Sequence, residues 1–116
     1  MNEQKILDGN KLIAKFMGYK FYPNNSINGT KGVYEKKNIL PKLITHFEYH
    51  SSWNCLMPVI CLCHTISFPN NKGWSKSNRI EYRINENDIW NANILNVFKE
   101  VVGFIEWYNE QLTHDK

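Results

Sequence analysis

Residues suited to metal binding cluster near the middle of the chain, where Cys61, Cys63 and His64 fall within four positions. Further candidate ligands precede them at His46, His50 and Cys55. Zinc needs four ligands converging at about 2.0–2.3 Å. Side chains two residues apart on a helix point roughly 200° apart, so Cys61 and Cys63 could not share one ion. The C-x-x-C spacing typical of zinc sites is also missing. We therefore expect buried, reduced thiols and no metal or other cofactor.

The same region pairs a histidine with serines, at His50, Ser51 and Ser52. A hydrolytic site is defined by its spatial arrangement, and adjacency in sequence does not supply one. A serine just before an apolar run is also a favourable helix N-cap, because its hydroxyl accepts a hydrogen bond from the first turn. A small hydrolase is therefore the third and least favoured interpretation, and we assign no catalytic residue.

A tryptophan stands in a polar, basic segment from Asn70 to Asn78. Loops of this composition lie on the surface, and tryptophan is enriched at binding hot spots. Two alternatives remain open for Trp74: its ring contacts a partner, or it folds back onto Phe68 or Tyr82. The candidate binding residues are Lys72, Trp74, Lys76 and Arg79.

Charge and composition limit the classes of function. The 116 residues carry a net charge of +3, with eight Lys/Arg against four Asp/Glu in residues 1–58 and six against seven thereafter. Hydrophobic content of 42 % is ordinary for a folded soluble protein. No signal-peptide pattern or membrane-spanning run is expected. The unpaired cysteines predict a reducing, cytoplasmic compartment.

Three segments have the spacing of helices. A first helix is expected from about Asp8 to Met17, because Gly18 suits a C-cap. Ser52 to about His64 predicts a central core helix, with a buried strand over Val59–Phe68 as the alternative. Apolar residues at three-four spacing predict a long amphipathic helix from Ile94 to Leu112. Residues expected in the core are Trp53, Ile60, Phe98 and Ile105. The remaining helix-edge aromatics, Trp90, Trp107 and Tyr108, are also interpreted as core anchors.

Other segments predict strands. The clearest has strict alternation over Arg79–Ile84, and the others are Tyr19–Pro23, Val33–Glu35, Leu43–Tyr49 and Thr65–Phe68. Residues 24–32 are rich in turn formers and predict either a hairpin or an ordered loop. Pro41 is expected to block regular structure around it.

The segments Asn10–Gly18, Tyr49–Val59 and Val101–Asn109 are also informative together. In this order they resemble small phage and prophage proteins of the phage ABA sandwich type. The resemblance implies a fold with a small β-sheet between helical layers. It also implies a protein that acts in a bacterial host. It implies no established activity and no catalytic residues.

The sequence thus predicts one α+β domain over residues 1–116, with a small, mainly antiparallel sheet packed with three helices in an α/β/α sandwich-like arrangement. The favoured function is a non-enzymatic interaction module of phage or prophage origin with an unknown protein partner. The alternative is a small nucleic-acid-binding protein. Binding to nucleic acid should fall steeply with salt, whereas binding to a protein should survive moderate salt.

Overall fold

A computed structural model describes residues 2–67 and 80–114. The chain divides into two compact units, Met1–Tyr49 and His50–Lys116. A three-stranded antiparallel sheet packed with helices confirms the α+β class. The described residues form five α-helices, two more than the sequence predicted.

The N-terminal unit begins with helix α1, Glu3–Phe16. Its N-cap is Asn2, whose side chain accepts from the backbone N–H of Lys5 at 2.8 Å. The predicted start at Asp8 was therefore wrong, whereas the predicted end near Met17 is confirmed. Because Asn2 satisfies an otherwise unpaired N–H group, the helix gains an additional turn before the apolar pattern begins.

The sheet has the order β1-β2-β3, with strands Lys20–Ile27, Thr30–Lys36 and Ile39–Lys42. Asn28 and Gly29 join the first two strands, and both have positive φ, 52° and 84°. Two successive positive φ angles are typical of the type I′ turn, for which Asn-Gly is the preferred pair. Of the two alternatives for residues 24–32, the hairpin is thus the correct one.

Both edges of this sheet carry a proline. Pro41 lies within β3, so the expectation that it blocks regular structure was wrong. Pro23 lies within β1, where the register shifts between Tyr22 and Ser26. A proline is tolerated on an edge strand because the missing N–H would face outward. Prolines and bulges also discourage a further strand from pairing there.

The predicted strand Leu43–Tyr49 is a 3-10 helix over Ile44–His46, followed by extended backbone. The backbone N–H of Leu43 donates to His46 Nδ1 at 3.1 Å, which competes with pairing in a sheet. The Phe47 and Tyr49 rings are nevertheless both buried and stacked, with their centroids 5.7 Å apart, so they share one side of the segment as they would on a strand.

The C-terminal unit is helical where it is described, with α2 at Trp53–Ser67, α3 at Ile80–Arg83, α4 at Glu86–Trp90 and α5 at Ile94–His114. The central and last helices are confirmed, and the strand alternative is wrong for Val59–Ser67. The helix α2 buries one stripe while Met57 is 47 % exposed. Fully buried side chains of this unit are Leu56, Val59, Cys63, Ile80, Val97, Phe98, Val101, Phe104 and Ile105.

The alternating segment Arg79–Ile84 was wrongly predicted as a strand, since Ile80–Arg83 is the short helix α3. The backbone N–H of Ile84 donates to the Ile80 carbonyl at 3.2 Å. Residues four apart lie on the same face of a helix as well as on the same face of a strand. The spacing of Ile80 and Ile84 therefore fits either structure, and only the alternation through Tyr82 favoured the strand.

Of the four residues predicted to lie in the core, two are fully buried and two are not. Phe98 and Ile105 are 0 % exposed, as expected, whereas Trp53 and Ile60 are only half-buried. Trp90 was also wrongly expected to be a core anchor, because it is 83 % exposed at the end of α4. The helix α4 is too short to turn all its apolar side chains toward α5.

Phe98→Ala should lower the free energy of unfolding by about 3–5 kcal/mol, because it empties a fully buried aromatic site. Denaturant titration measures the change. Trp90→Ala is the matched control and should change stability by less than about 0.5 kcal/mol. A loss below about 1 kcal/mol for Phe98→Ala would contradict the packing of α5.

Gly103 lies inside α5, where glycine is less favourable than alanine. A Cβ added there would lie 3.6 Å from a guanidinium nitrogen of Arg83. The Arg83 guanidinium also lies over the Trp107 ring, 5.9 Å from its centroid. A methyl group at Gly103 would thus meet a flexible side chain at ordinary contact distance.

Gly103→Ala should raise the free energy of unfolding by up to about 1 kcal/mol, because alanine has the higher helix propensity. Thermal or denaturant unfolding measures the change. A loss of stability would mean that the Arg83 side chain cannot accommodate the added methyl group.

Candidate functional site: a basic and aromatic groove

The binding residues expected from the sequence, Lys72, Trp74, Lys76 and Arg79, lie in residues 68–79, outside the described part of the chain. Their proposed role stays a prediction. The described residues offer a different site that combines the same two side-chain types, lysine and aromatic rings. It lies entirely within the N-terminal unit.

This site is a groove of about 770 Å³ between α1 and the first two strands. Its volume falls in the range of roughly 300–1,000 Å³ that accommodates a drug-sized ligand. The side chains that line it are Asp8, Lys11, Leu12, Lys15, Tyr19, Lys20, Phe21, Tyr22 and Tyr34. We call it the basic-aromatic groove.

One wall of the groove comes from α1. Lys11 and Lys15 are both exposed and lie four positions apart, which places them on the same face of the helix. Asp8 stands one turn earlier, and its carboxylate accepts from the Gln4 side-chain amide at 2.9 Å. This acid is therefore engaged by a neutral partner on its own helix.

The other wall comes from the start of β1. Phe21 is 52 % exposed and Tyr22 is 40 % exposed, although both are large aromatic side chains. Lys20 precedes them and is also exposed. Rings and cations are thus offered together at the surface of one groove.

Phe21 is held by two neighbours. Its ring centroid lies 4.8 Å from that of Tyr34, its direct partner in the β1–β2 register. A Cβ added to Gly32 would lie 3.3 Å from Phe21 Cε1 and 3.4 Å from Cζ, so the ring rests over the glycine. Gly32 also has φ +96°, a conformation that favours glycine. The exposed ring is therefore preorganised.

Tyr34 anchors this arrangement to the interior. It is 5 % exposed, and its ring meets that of Phe47 edge-on at 5.4 Å. Burial raises the pKa of Tyr34 above its usual 10.0, which keeps its hydroxyl protonated to a higher pH than an exposed tyrosine. The neutral, packed tyrosine gives Phe21 a fixed support.

Other lysines of this unit have structural roles. The ammonium of Lys36 lies 5.5 Å from the Tyr19 ring centroid, and that of Lys42 lies 5.6 Å from the Phe47 ring centroid. Both side chains are half-buried against those rings. These cation–π contacts stabilise the unit, whereas the three groove lysines extend into solvent.

The groove had a signal in the sequence that the interpretation missed. Lys11 and Lys15 share a helix face, and Lys20-Phe21-Tyr22 follows shortly after the helix. A combination of basic and aromatic side chains on one surface is typical of proteins that bind single-stranded nucleic acids. The sequence analysis predicted Tyr19–Pro23 only as a strand and gave Lys11 and Lys15 no role.

The residues of the hydrolase hypothesis lie at the start of α2. The His50 ring meets the Phe98 ring edge-on at 6.0 Å. The Ser52 carbonyl accepts from the backbone N–H groups of Cys55 and Leu56, at 3.1 and 2.9 Å. These are contacts of a helix start packed on a core.

The expectation of two buried thiols was half right. Cys63 is fully buried, but Cys61 is exposed and Cys55 is half-buried. Burial raises the pKa of Cys63 from its usual 9.0 to about 12. Within the described ranges, no group of three His, Cys, Asp or Glu side chains is arranged to hold a metal ion.

Cys61 should react with a thiol reagent at the rate of an exposed thiol, whereas Cys63 should react only on unfolding. The rates can be measured with an aromatic disulfide reagent on Cys61→Ser and Cys63→Ser variants. Loss of the fast phase in Cys63→Ser rather than Cys61→Ser would contradict the assignment.

The raised pKa of Cys63 also predicts a pH dependence. Above about pH 9 the unfolded chain loses the thiol proton while the folded chain keeps it until about pH 12. The free energy of unfolding should therefore fall as pH rises through this window. Cys63→Ala removes this contribution, so the stability difference between wild type and variant should shrink with rising pH.

A second groove, of about 490 Å³, lies in the C-terminal unit. It is largely apolar, and Ile89, which is 50 % exposed, forms part of its lining. Trp90 follows at 83 % exposure. The full lining is Ile60, Cys61, His64, Thr65, Ile80, Ile84, Glu86 and Ile89.

Comparison with known proteins gave no match to any family model, curated protein or solved structure. The phage ABA sandwich resemblance therefore stays a prediction. Among the helices in residues 2–67 and 80–114, none combines the length and apolar character needed to cross a bilayer.

Proposed function

We propose that this protein is a small, non-enzymatic nucleic-acid-binding protein, and that the basic-aromatic groove binds the sugar-phosphate backbone. The single observation that carries the proposal is that Lys11, Lys15 and Lys20 line a groove that also exposes aromatic rings. Lysine ammonium groups bind phosphates as compact positive charges. When lysines neutralise phosphates, the counterions condensed on the nucleic acid are released. This release supplies affinity without sequence specificity.

The charge of the surrounding unit supports this proposal. Residues 1–49 hold eight lysines against four Asp/Glu, so the excess positive charge of the chain is concentrated there. Glu35 accepts from the Asn25 side-chain amide at 3.0 Å, and Asp8 accepts from that of Gln4. These amides leave the carboxylates charged, but the groove lining holds three lysines against the one carboxylate of Asp8, a net charge of +2 that favours an anion.

A phage or prophage origin, and action in the cytoplasm of a bacterial host, belong to the same proposal. They rest on the three segments that resemble phage ABA sandwich proteins. A small protein that binds nucleic acid without chemistry of its own is compatible with that resemblance, which implies no catalytic residues.

The second candidate is the interaction module with a protein partner. It is favoured by the exposed apolar side chains of Ile89 and Trp90 beside the second groove. Exposed apolar surface of this kind is typical of protein interfaces. Such a complex should survive moderate salt and weaken in Trp90→Ala, which separates it from binding in the basic-aromatic groove.

The salt dependence of binding tests the proposal. A fluorescein-labelled single-stranded DNA should bind with a slope of log K against log salt of roughly −2, if each of the three groove lysines neutralises one phosphate. Fluorescence anisotropy at several salt concentrations measures this slope. Lys15→Gln should reduce its magnitude by about 0.7 and weaken binding at low salt.

Lys99→Gln is the matched control, because Lys99 is an exposed lysine on α5 of the other unit. It should leave both slope and affinity close to wild type. Absence of measurable binding to any nucleic acid at low salt would rule out the proposed function. Equal losses in both variants would instead assign binding to overall charge.

A further inference from the structure

We propose that the basic-aromatic groove selects single-stranded polynucleotides, with an unpaired base stacked on the Phe21 ring. This inference rests on the proposed function and names the class of ligand for the same groove. The juxtaposition that carries it is a half-exposed, preorganised ring beside three exposed lysines. A stacking surface and phosphate-binding cations are the two parts that single-strand binding requires.

The cost of exposing Phe21 supports a binding role for its ring. Phe21 leaves about half of its surface exposed at the side of a groove. Covering this apolar area with a ligand would lower the free energy, because apolar surface would be removed from water. The face of a nucleic-acid base is flat, apolar and of similar size, and base–aromatic stacking contributes about 1–3 kcal/mol per base.

The support beneath Phe21 makes the ring suitable for this task. Tyr34 holds one side of the ring, and Gly32 lets it lie close to the strand. Because Gly32 has no side chain, the ring can occupy space that a Cβ would enter at 3.3 Å. A ring that is already immobilised loses little conformational freedom when a base stacks on it.

Double-stranded nucleic acid could use the lysines of the groove but not its aromatic rings. In a duplex the faces of the bases are covered by their neighbours, and only groove edges and phosphates are accessible. The lysines could contact duplex phosphates, but Phe21 and Tyr22 would gain no stacking partner. The difference between single-strand and duplex affinity therefore reports the contribution of the rings.

The experiment uses the full chain and labelled oligonucleotides of about 15 nucleotides, near the upper end of the roughly 4–16 that a single-strand binding fold covers. Four probes are compared by anisotropy at one low salt concentration: oligo-dT, oligo-U, a duplex of the same length, and an abasic strand. The abasic strand keeps the phosphates and lacks the bases. The DNA and RNA strands distinguish the two sources of single-stranded ligand.

Wild type should bind oligo-dT or oligo-U about 5- to 150-fold more tightly than the abasic strand, the range given by stacking of one base. Phe21→Leu should remove most of that ratio while leaving abasic affinity unchanged. Trp90→Leu is the matched control, since it removes an exposed aromatic ring from the other unit. Its binding ratios should equal those of wild type, and circular dichroism should report intact helix content in both variants.

Equal affinity for duplex and single strands, with no effect of Phe21→Leu, would overturn this inference while the proposed nucleic-acid binding stands. Failure of every probe to bind would overturn both. A loss of abasic affinity in Phe21→Leu that matches the loss for oligo-dT would also overturn it, because the ring would then be supporting the lysines rather than stacking on a base.

Discussion

The N-terminal unit depends on the burial of Phe47. Its backbone carbonyl accepts from the side-chain amide of Asn10, a buried residue of α1, at 3.3 Å. Its ring meets Tyr19 and Tyr34 edge-on, at 5.0 and 5.4 Å, and stacks on Tyr49. One residue thus ties the helix, the entry to β1 and the centre of β2 together, and edge-to-face pairs of this kind add to the gain from burial.

The groove is a consequence of that aromatic packing. Tyr34 is fixed by Phe47 on one side and supports Phe21 on the other. The tight turn at Asn28 and Gly29 starts the pairing of Ile27 with Thr30, and the register shift between Tyr22 and Ser26 then places Phe21 opposite Tyr34. The surface ring is thus held by a chain of contacts that ends in the core, which limits its motion without covering it.

The C-terminal unit is stabilised by a different means. The apolar stripe of α2 and that of α5 supply most of its fully buried side chains, and Ile80 of α3 adds to them. Arg83 lies against Trp107 and faces Gly103, so its long side chain packs as well as carrying charge. This unit lacks the excess of lysine found before residue 50. The division of charge therefore coincides with the division into compact units.

Local patterns in the sequence determined the long helices and the α+β class, and they gave a hairpin as one of two alternatives for residues 24–32. These depend on apolar spacing and on which residues accept positive φ, and both can be determined from a few neighbouring residues. The same kind of pattern failed at Ile80 and Ile84, whose spacing suits either a helix or a strand. Local sequence could not decide between the two, so only packing against the rest of the unit did.

The candidate site was decided by tertiary structure. Lys15 and Phe21 are separated by a helix end and a turn at Gly18, and nothing local places their side chains in one groove. The exposure of Phe21 and Trp90 was equally beyond the sequence, because an aromatic ring is buried or exposed according to what packs against it. Burial is a property of the folded arrangement, whereas residue type supplies only its average tendency.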